Sequence, residues 1–332
     1  MPLWPYSTYY HLPDDGEETQ VAMISRNSDE DRGSWPDVAV SRWAGTKRSL
    51  HLYAQMLGKI KLAVASLQPN WMFTALHLSP RGVTTGTIPW RGSSFDATLD
   101  VFDSEIVLSR SNGAGSTIPL VPVHTVAEVY AKLTDALATL GVDCTISTIP
   151  QELPDTTPFD EDRRASEYDA AAVRRWFASA TAASAVFDGW RSHFFGRSGV
   201  QLWWGALDVA LMLFNGRHVA PPADRGYLMK YDLDAELMNV GLYYGDEKTA
   251  PFFYGYIYPE PADARSLPVA PAQAVWSSDL REWVMPYEAV RNAPNPPELL
   301  RAFIGAIYEQ CFAAAGWDPA ALSYDPPPLA AR

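Results

Sequence analysis

Apolar positions change period several times along the chain, and each change marks an element. Over residues 46–66, Leu50, Tyr53, Met56, Leu57, Ile60 and Val64 recur three and four positions apart, which predicts a helix. Lys47, His51, Gln55 and Lys59 fall at successive i, i+4 steps and form its polar face, expected to be solvated or paired with the chain's own carboxylates. The period then drops to two. Residues 71–79 alternate, and after the turn at Pro80-Arg81-Gly82, Phe95, Ala97, Leu99 and Val101 alternate with Asp96, Thr98 and Asp100. That is the pattern of half-buried antiparallel strands. Asp103-Ser104 and Asn112-Gly113 mark turns between further short strands. Thr125 with Glu128 forms a capping box ahead of the stripe Val129, Leu133, Leu137 and Leu140, and Gly141 stops that helix. A short strand is expected over 144–149.

The second part of the chain opens at Asp169, an N-cap for a long helix with Val173, Trp176, Phe177, Ala180, Val186, Phe187 and Trp190 on its core face. The most apolar run follows, and residues 200–214 read as one central strand. Leu202, Trp204, Ala206, Asp208, Ala210, Met212 and Phe214 would share one face of it, and the other face is apolar too. The same run contains good helix formers; a helix would set Asp208 beside Trp204 and Met212. Further strands are predicted at 237–244, 252–258, 273–277 and 281–289. A last helix opens at Asn295-Pro296-Pro297-Glu298 and buries Leu300, Phe303, Ile304, Ile307 and Cys311.

The order long helix, antiparallel strand meander, amphipathic helix thus occurs twice. The expected fold class is α+β with two similar halves, an internal duplication, at 39–150 and 169–318. A Pro- and acid-rich linker at 151–168 joins them, an acidic, aromatic arm at 1–38 precedes them, and a loose Pro-rich tail at 319–332 follows. One continuous sheet decorated by four helices is the alternative.

Charge narrows the partners. The chain has 332 residues, 26 of them Lys or Arg and 39 Asp or Glu, a formal net charge of -13. That balance argues against nucleic acid or an anionic membrane surface as the main partner, since both are polyanions. No apolar run approaches the ~20 residues that span a bilayer, and the N-terminus lacks the basic and apolar regions of a signal peptide. Two cysteines, Cys144 and Cys311, are too few for a disulfide framework or a Cys-rich zinc site. A cytoplasmic setting fits. The pattern leaves the oligomeric state open.

Several blocks carry a resemblance. They are L-H-L-Y-A-Q-M-L-G-K-I-K-L at 50–62, R-G-V-T-T at 81–85, W-G-A-L-D-V-A at 204–210, F-N-G-R at 214–217, Y-P-E-P at 258–261 and P-Y-E-A-V-R at 286–291. In these blocks and their order the chain resembles an uncharacterised bacterial domain-of-unknown-function family, over roughly residues 35–322. The resemblance implies a bacterial, cytoplasmic protein and carries no activity or functional residue with it.

Candidate chemistry therefore rests on individual side chains. Asp208 is a carboxylate within an apolar run; buried, it must be paired, hydrogen-bonded or protonated, and in a cavity its pKa would rise as acid/base chemistry requires. His51 and His193 are the histidines considered as its catalytic partners. No H-E-x-x-H spacing, Walker loop, G-x-G-x-x-G or G-x-S-x-G occurs, so neither metal nor cofactor is indicated. Aromatic residues crowd the second half's strands, with Trp204, Tyr256, Tyr258, Arg197 and Arg217 as candidate ligand-binding residues. The expectation is a small-molecule enzyme or binding protein with an aromatic-lined pocket and metal-independent acid/base polarity. The alternative is a non-catalytic protein-interaction module using the acidic arm.

Overall fold

The first helical period becomes α1 (Ala44–Val64), and the strands after it form an antiparallel sheet. These are β1 (His77–Ser79), β2 (Gly82–Thr84), β3 (Ile88–Trp90), β4 (Ser93–Asp100), β5 (Glu105–Arg110) and β6 (Gly115–Pro119), in the order β1-β2-β4-β5-β6 with β3 also on β4. Their alternation sends Phe95, Ala97, Leu99, Ile106 and Leu108 into the core. Helix α2 (Val126–Thr139) begins at the predicted capping box: Thr125 accepts from the Glu128 N–H and the Glu128 carboxylate accepts from the Thr125 N–H. This is a computed structural model, and it describes residues 33–221 and 231–324.

The second part repeats the order of elements. Helix α3 (Ala170–Arg191) is capped by Asp169, which accepts from the N–H groups of Ala171 and Ala172. A second antiparallel sheet follows in the order β11-β12-β10-β9-β8-β7, built from β7 (Gln201–Trp203), β8 (Asp208–His218), β9 (Ala235–Tyr243), β10 (Phe252–Tyr258), β11 (Val275–Ser277) and β12 (Glu282–Pro286). Short α4 (Tyr287–Arg291), long α5 (Pro296–Ala313) and short α6 (Pro319–Leu322) complete it. The fold is mixed α+β. The sheets meet where Leu76, just before β1, and Leu202 on β7 exchange two backbone hydrogen bonds of 2.9 Å.

Val209, Leu211 and Leu213 on β8, Met238, Val240 and Leu242 on β9, and Phe253 on β10 are buried on one face of the second sheet, and α3 and α5 pack against β8, β9 and β10. Burying each such side chain contributes about 1.5–3 kcal/mol. The register places Asp208, Ala210, Met212, Asn239, Gly241, Tyr254 and Tyr256 on the opposite face. That face carries the polar groups.

Several expectations are corrected. Residues 200–214 are not one strand but a hairpin: β7 pairs β8 in the register Trp203↔Asp208, and residues 204–207 turn between them. Gly205 and the left-handed backbone of Leu207 (φ 58) make that turn. Both arms are buried, so the run reads as continuously apolar. The predicted strand over 71–79 shrinks to β1, because a 3-10 turn at Pro69–Trp71 holds Asn70 and Trp71 at φ 54 and 55. Residues 144–149 have no regular structure, and the strand predicted over 281–289 ends at Pro286, where α4 begins.

The polar face of α1 is buried rather than solvated: His51, Gln55 and Lys59 are 4%, 0% and 2% exposed. The acidic turn of the linker is also partly interior. Asp162 is buried and bonded to Arg48 and Arg164. Burial alone would raise its carboxyl, and the two guanidiniums outweigh that and hold it low. The predicted tail starts with α6, whose Leu322 is buried, and its residues beyond 324 lie outside the described residues. Of the predicted arm only 33–38 are described. There Trp35 packs on Phe253 and Tyr287, and the Tyr287 hydroxyl donates to the Pro36 carbonyl. Among the described residues no helix is long and apolar enough to cross a membrane.

Candidate functional site

A cavity of about 490 Å³ lies over the polar face of the second sheet. Its floor is Asp208 and Met212 of β8, Asn239 and Tyr243 of β9, Phe252, Tyr254 and Tyr256 of β10, and Glu282 of β12. Its walls come from other segments: Trp71 and Thr74 ahead of β1, Gln151 and Glu152 of the linker, Trp203 to Ala206 of the hairpin, and Asp232 and Asp246 flanking β9.

Helix α1 holds three of those walls through its polar row. Lys47 Nζ donates to the Gly245 carbonyl at 2.7 Å, beside Asp246. His51 Nε2 meets the carbonyls of Trp204 and Gly205, each at 2.9 Å. Gln55 grips Gln151 twice, donating to its carbonyl at 2.7 Å and accepting from its N–H at 2.8 Å. Lys59 donates to Ile149 at 2.8 Å. The i, i+4 spacing that looked like a solvated face is a row of anchors for backbone that has no sheet partner of its own. At Gly58 an added Cβ would lie 2.1 Å from the Trp204 ring, so this glycine admits the indole to the helix surface. The indole N–H then donates to Thr74 O at 3.0 Å.

Tyr254 on β10 reaches across β9 and donates its phenolic proton to Asp208 on β8. Gly241 lies between them, and a Cβ there would sit 2.5 Å from the Tyr254 ring. Without a side chain at 241 the ring crosses the middle strand. A glycine inside a strand is the one sequence signal that marks such an approach. Burial raises the Asp208 carboxyl to about 7; the Tyr254 bond opposes this and Glu152 adds to it. Burial likewise raises Asp232 and Glu282 to about 7, with other carboxylates adding, and burial raises Glu152. Asn239 Nδ2 donates to the Tyr256 hydroxyl at 3.1 Å, while Asn239 Oδ1 and Trp203 Nε1 are buried with no partner among the described residues.

The cavity thus brings together Asp208, Trp204 and Tyr256 of the residues singled out by sequence. His51 lies behind the hairpin turn on two carbonyls, and burial, then Lys47, lowers it to about 4. His193 is at the exposed end of α3. Arg197 bonds to the carbonyls of Phe194 and Phe195, and Arg217 pairs with Glu236 at 2.7 Å. His51, His193, Arg197, Arg217 and Tyr258 do not line the cavity. The lining carboxylates Glu152, Asp232 and Glu282, and Asn239, were not singled out. Each comes from a different segment and has no periodic signature. Among the described residues no three His, Cys, Asp or Glu side chains converge as a metal site.

A model of a family of unknown function, DUF5996, matches residues 35–324, and the chain belongs to that family. No curated protein and no solved structure matches it.

Proposed function

We propose that the chain binds a small molecule in this cavity, with Asp208, backed by Tyr254, as the group that takes or gives a proton to it. The carrying observation is a buried carboxylate whose side-chain partner is a phenol rather than a cation, set in an aromatic cavity of about 490 Å³. That volume is within the roughly 300–1,000 Å³ of small-molecule sites. A carboxyl raised to about 7 is poised for acid/base work at neutral pH. The backbone adds support. Five of the seven described non-glycine residues at positive φ (Asn70, Trp71, Glu152, Leu207 and Arg281) lie in the cavity's walls or beside them, and such backbone clusters at ligand sites. The chemistry is metal-independent. The cysteines, both free, suit a cytoplasmic setting.

A thermal-shift screen of a metabolite library on the full chain tests this. Hits are expected to weaken in Asp208→Asn and to disappear in Trp204→Ala. Hits indifferent to both substitutions would sink the proposal. The interaction-module alternative depends on an arm of which residues 1–32 lie outside the described residues, and no observation here favours it.

A further inference from the structure

We infer that the pocket's ligand is an organic cation, a protonated amine on an apolar carbon body, held by the carboxylates of Asp208, Glu282, Asp232 and Glu152 and by Asn239 Oδ1. The inference rests on the pocket reading above and names the chemical class it takes.

Four separate segments deliver those carboxylates to one cavity, and among its described lining residues there is no Lys, Arg or His. The side-chain carboxyls of Glu282, Asp232 and Glu152 have no hydrogen bond or ion pair among the described residues; the Asp232 main-chain carbonyl accepts from Asn70 Nδ2 at 3.0 Å. Asn239 gives an independent indication. It is 5% exposed and lines the cavity, its Nδ2 is used by Tyr256, and its Oδ1 accepts nothing. A buried acceptor without a donor costs about 1–3 kcal/mol. The unfilled capacity at these five side chains is therefore for acceptance, so the ligand must bring N–H or O–H donors.

Charge decides between the donors. An anion would face five carboxyl groups, Asp246 included, in a partly desolvated space. A neutral alcohol would satisfy acceptors but supply no counter-charge to the carboxyls as they ionise. An ammonium does both, and the rings of Trp203, Tyr243 and Phe252 give its carbon body an apolar wall and offer π faces to the charge. On α1, Lys47 is already spent on the Gly245 carbonyl beside Asp246, and Lys59 on the Ile149 carbonyl.

The empty pocket suits protonated carboxyls, because burial raises Asp208, Asp232 and Glu282 to about 7. A bound ammonium favours their ionised forms, so binding releases protons and tightens as pH rises through neutrality. Tyr243, Tyr254 and Tyr256, the phenols on that face, are all raised above this range by burial, Tyr243 to about 12, so they hold their protons.

Isothermal titration of the full chain with matched probes tests this. One set is 1,5-diaminopentane, 1,5-pentanediol and glutarate; the other is phenethylamine, 2-phenylethanol and 3-phenylpropionate. Each amine is expected to bind at least about tenfold tighter than its alcohol, the expected worth of one charge-assisted hydrogen bond. Its affinity should rise between about pH 6 and about pH 8, with proton release read from buffers of different ionisation heat. Asp208→Asn and Glu282→Gln should each weaken the amine about tenfold and so narrow its advantage over the alcohol. If an alcohol or an anion binds as well as its amine, and Trp204→Ala still abolishes it, the pocket stands and the cation is overturned. If no probe binds, or binding ignores Trp204→Ala, both readings fall.

Discussion

Replacing Asp208 with Asn should make the protein more stable, and only above about pH 5. In the folded chain burial lifts this carboxyl to about 7; in the unfolded chain an aspartate titrates near ~3.9. Between those values the folded state keeps a proton that the unfolded state has released. Stability contributed at this site is therefore greatest below about pH 4, falls as pH rises to about 7, and is level beyond. About three pH units at roughly 1.4 kcal/mol each set the loss at up to about 4 kcal/mol. Asparagine keeps the shape and an acceptor for the Tyr254 proton, and cannot ionise. Urea unfolding of both proteins, followed by tryptophan fluorescence at about pH 4.5 and about pH 8, is the assay. The curves should nearly coincide at the lower pH. At the higher pH the variant should be more stable by about 2–4 kcal/mol, several degrees in Tm for a chain of this length. An equal gap at both values, or a variant less stable at the higher pH, would refute the reasoning, since it would mean that Asp208 is ionised and compensated. The expected result is a stability cost kept at a site for function.

Gly241→Ala would put a Cβ 2.5 Å from the Tyr254 ring, so it should cost about 1–3 kcal/mol in urea unfolding and break the bond to Asp208. Gly58→Ala meets the Trp204 ring at 2.1 Å and should destabilise comparably while shifting the tryptophan emission. Gln55→Ala removes both bonds to Gln151, a loss of about 2 kcal/mol, and should speed amide hydrogen exchange over residues 149–152. His51, lowered to about 4 chiefly by burial, should show no ring titration by NMR between about pH 8 and about pH 5.5. The stability it contributes as a buried neutral ring is full above its unfolded pKa near ~6.5 and is lost as pH falls toward about 4, so His51→Gln should flatten that part of the acid limb.

Much of the fold was legible because local periodicity reports it. Helices α1, α2, α3 and α5 and most strands fall where the apolar period puts them, and the caps at Thr125 and Asp169 form as read. The errors cluster around the cavity. The hairpin at 200–214 was read as one strand because a run buried on both arms has the same apolarity as a central strand. The polar row of α1 was read as solvated because the pattern shows that four polar residues share a face, not what that face meets. Asp208 stood out because it is a charge among apolar neighbours. Glu152, Asp232 and Glu282 lie in ordinary polar surroundings, where a carboxylate carries no signal.

By itself the sequence determined which stretches are helix or strand, which residues can enter a core, and that one carboxylate would sit where burial is costly. These follow from side-chain size, polarity and spacing along the chain. Only the tertiary structure decided that Lys47, His51, Gln55 and Lys59 anchor the walls of a cavity, that a glycine on β9 lets Tyr254 reach Asp208, and that carboxylates from separate segments line one cavity. Such contacts join residues tens to hundreds of positions apart, and what they do to a carboxyl depends on the space around it, which no local pattern encodes.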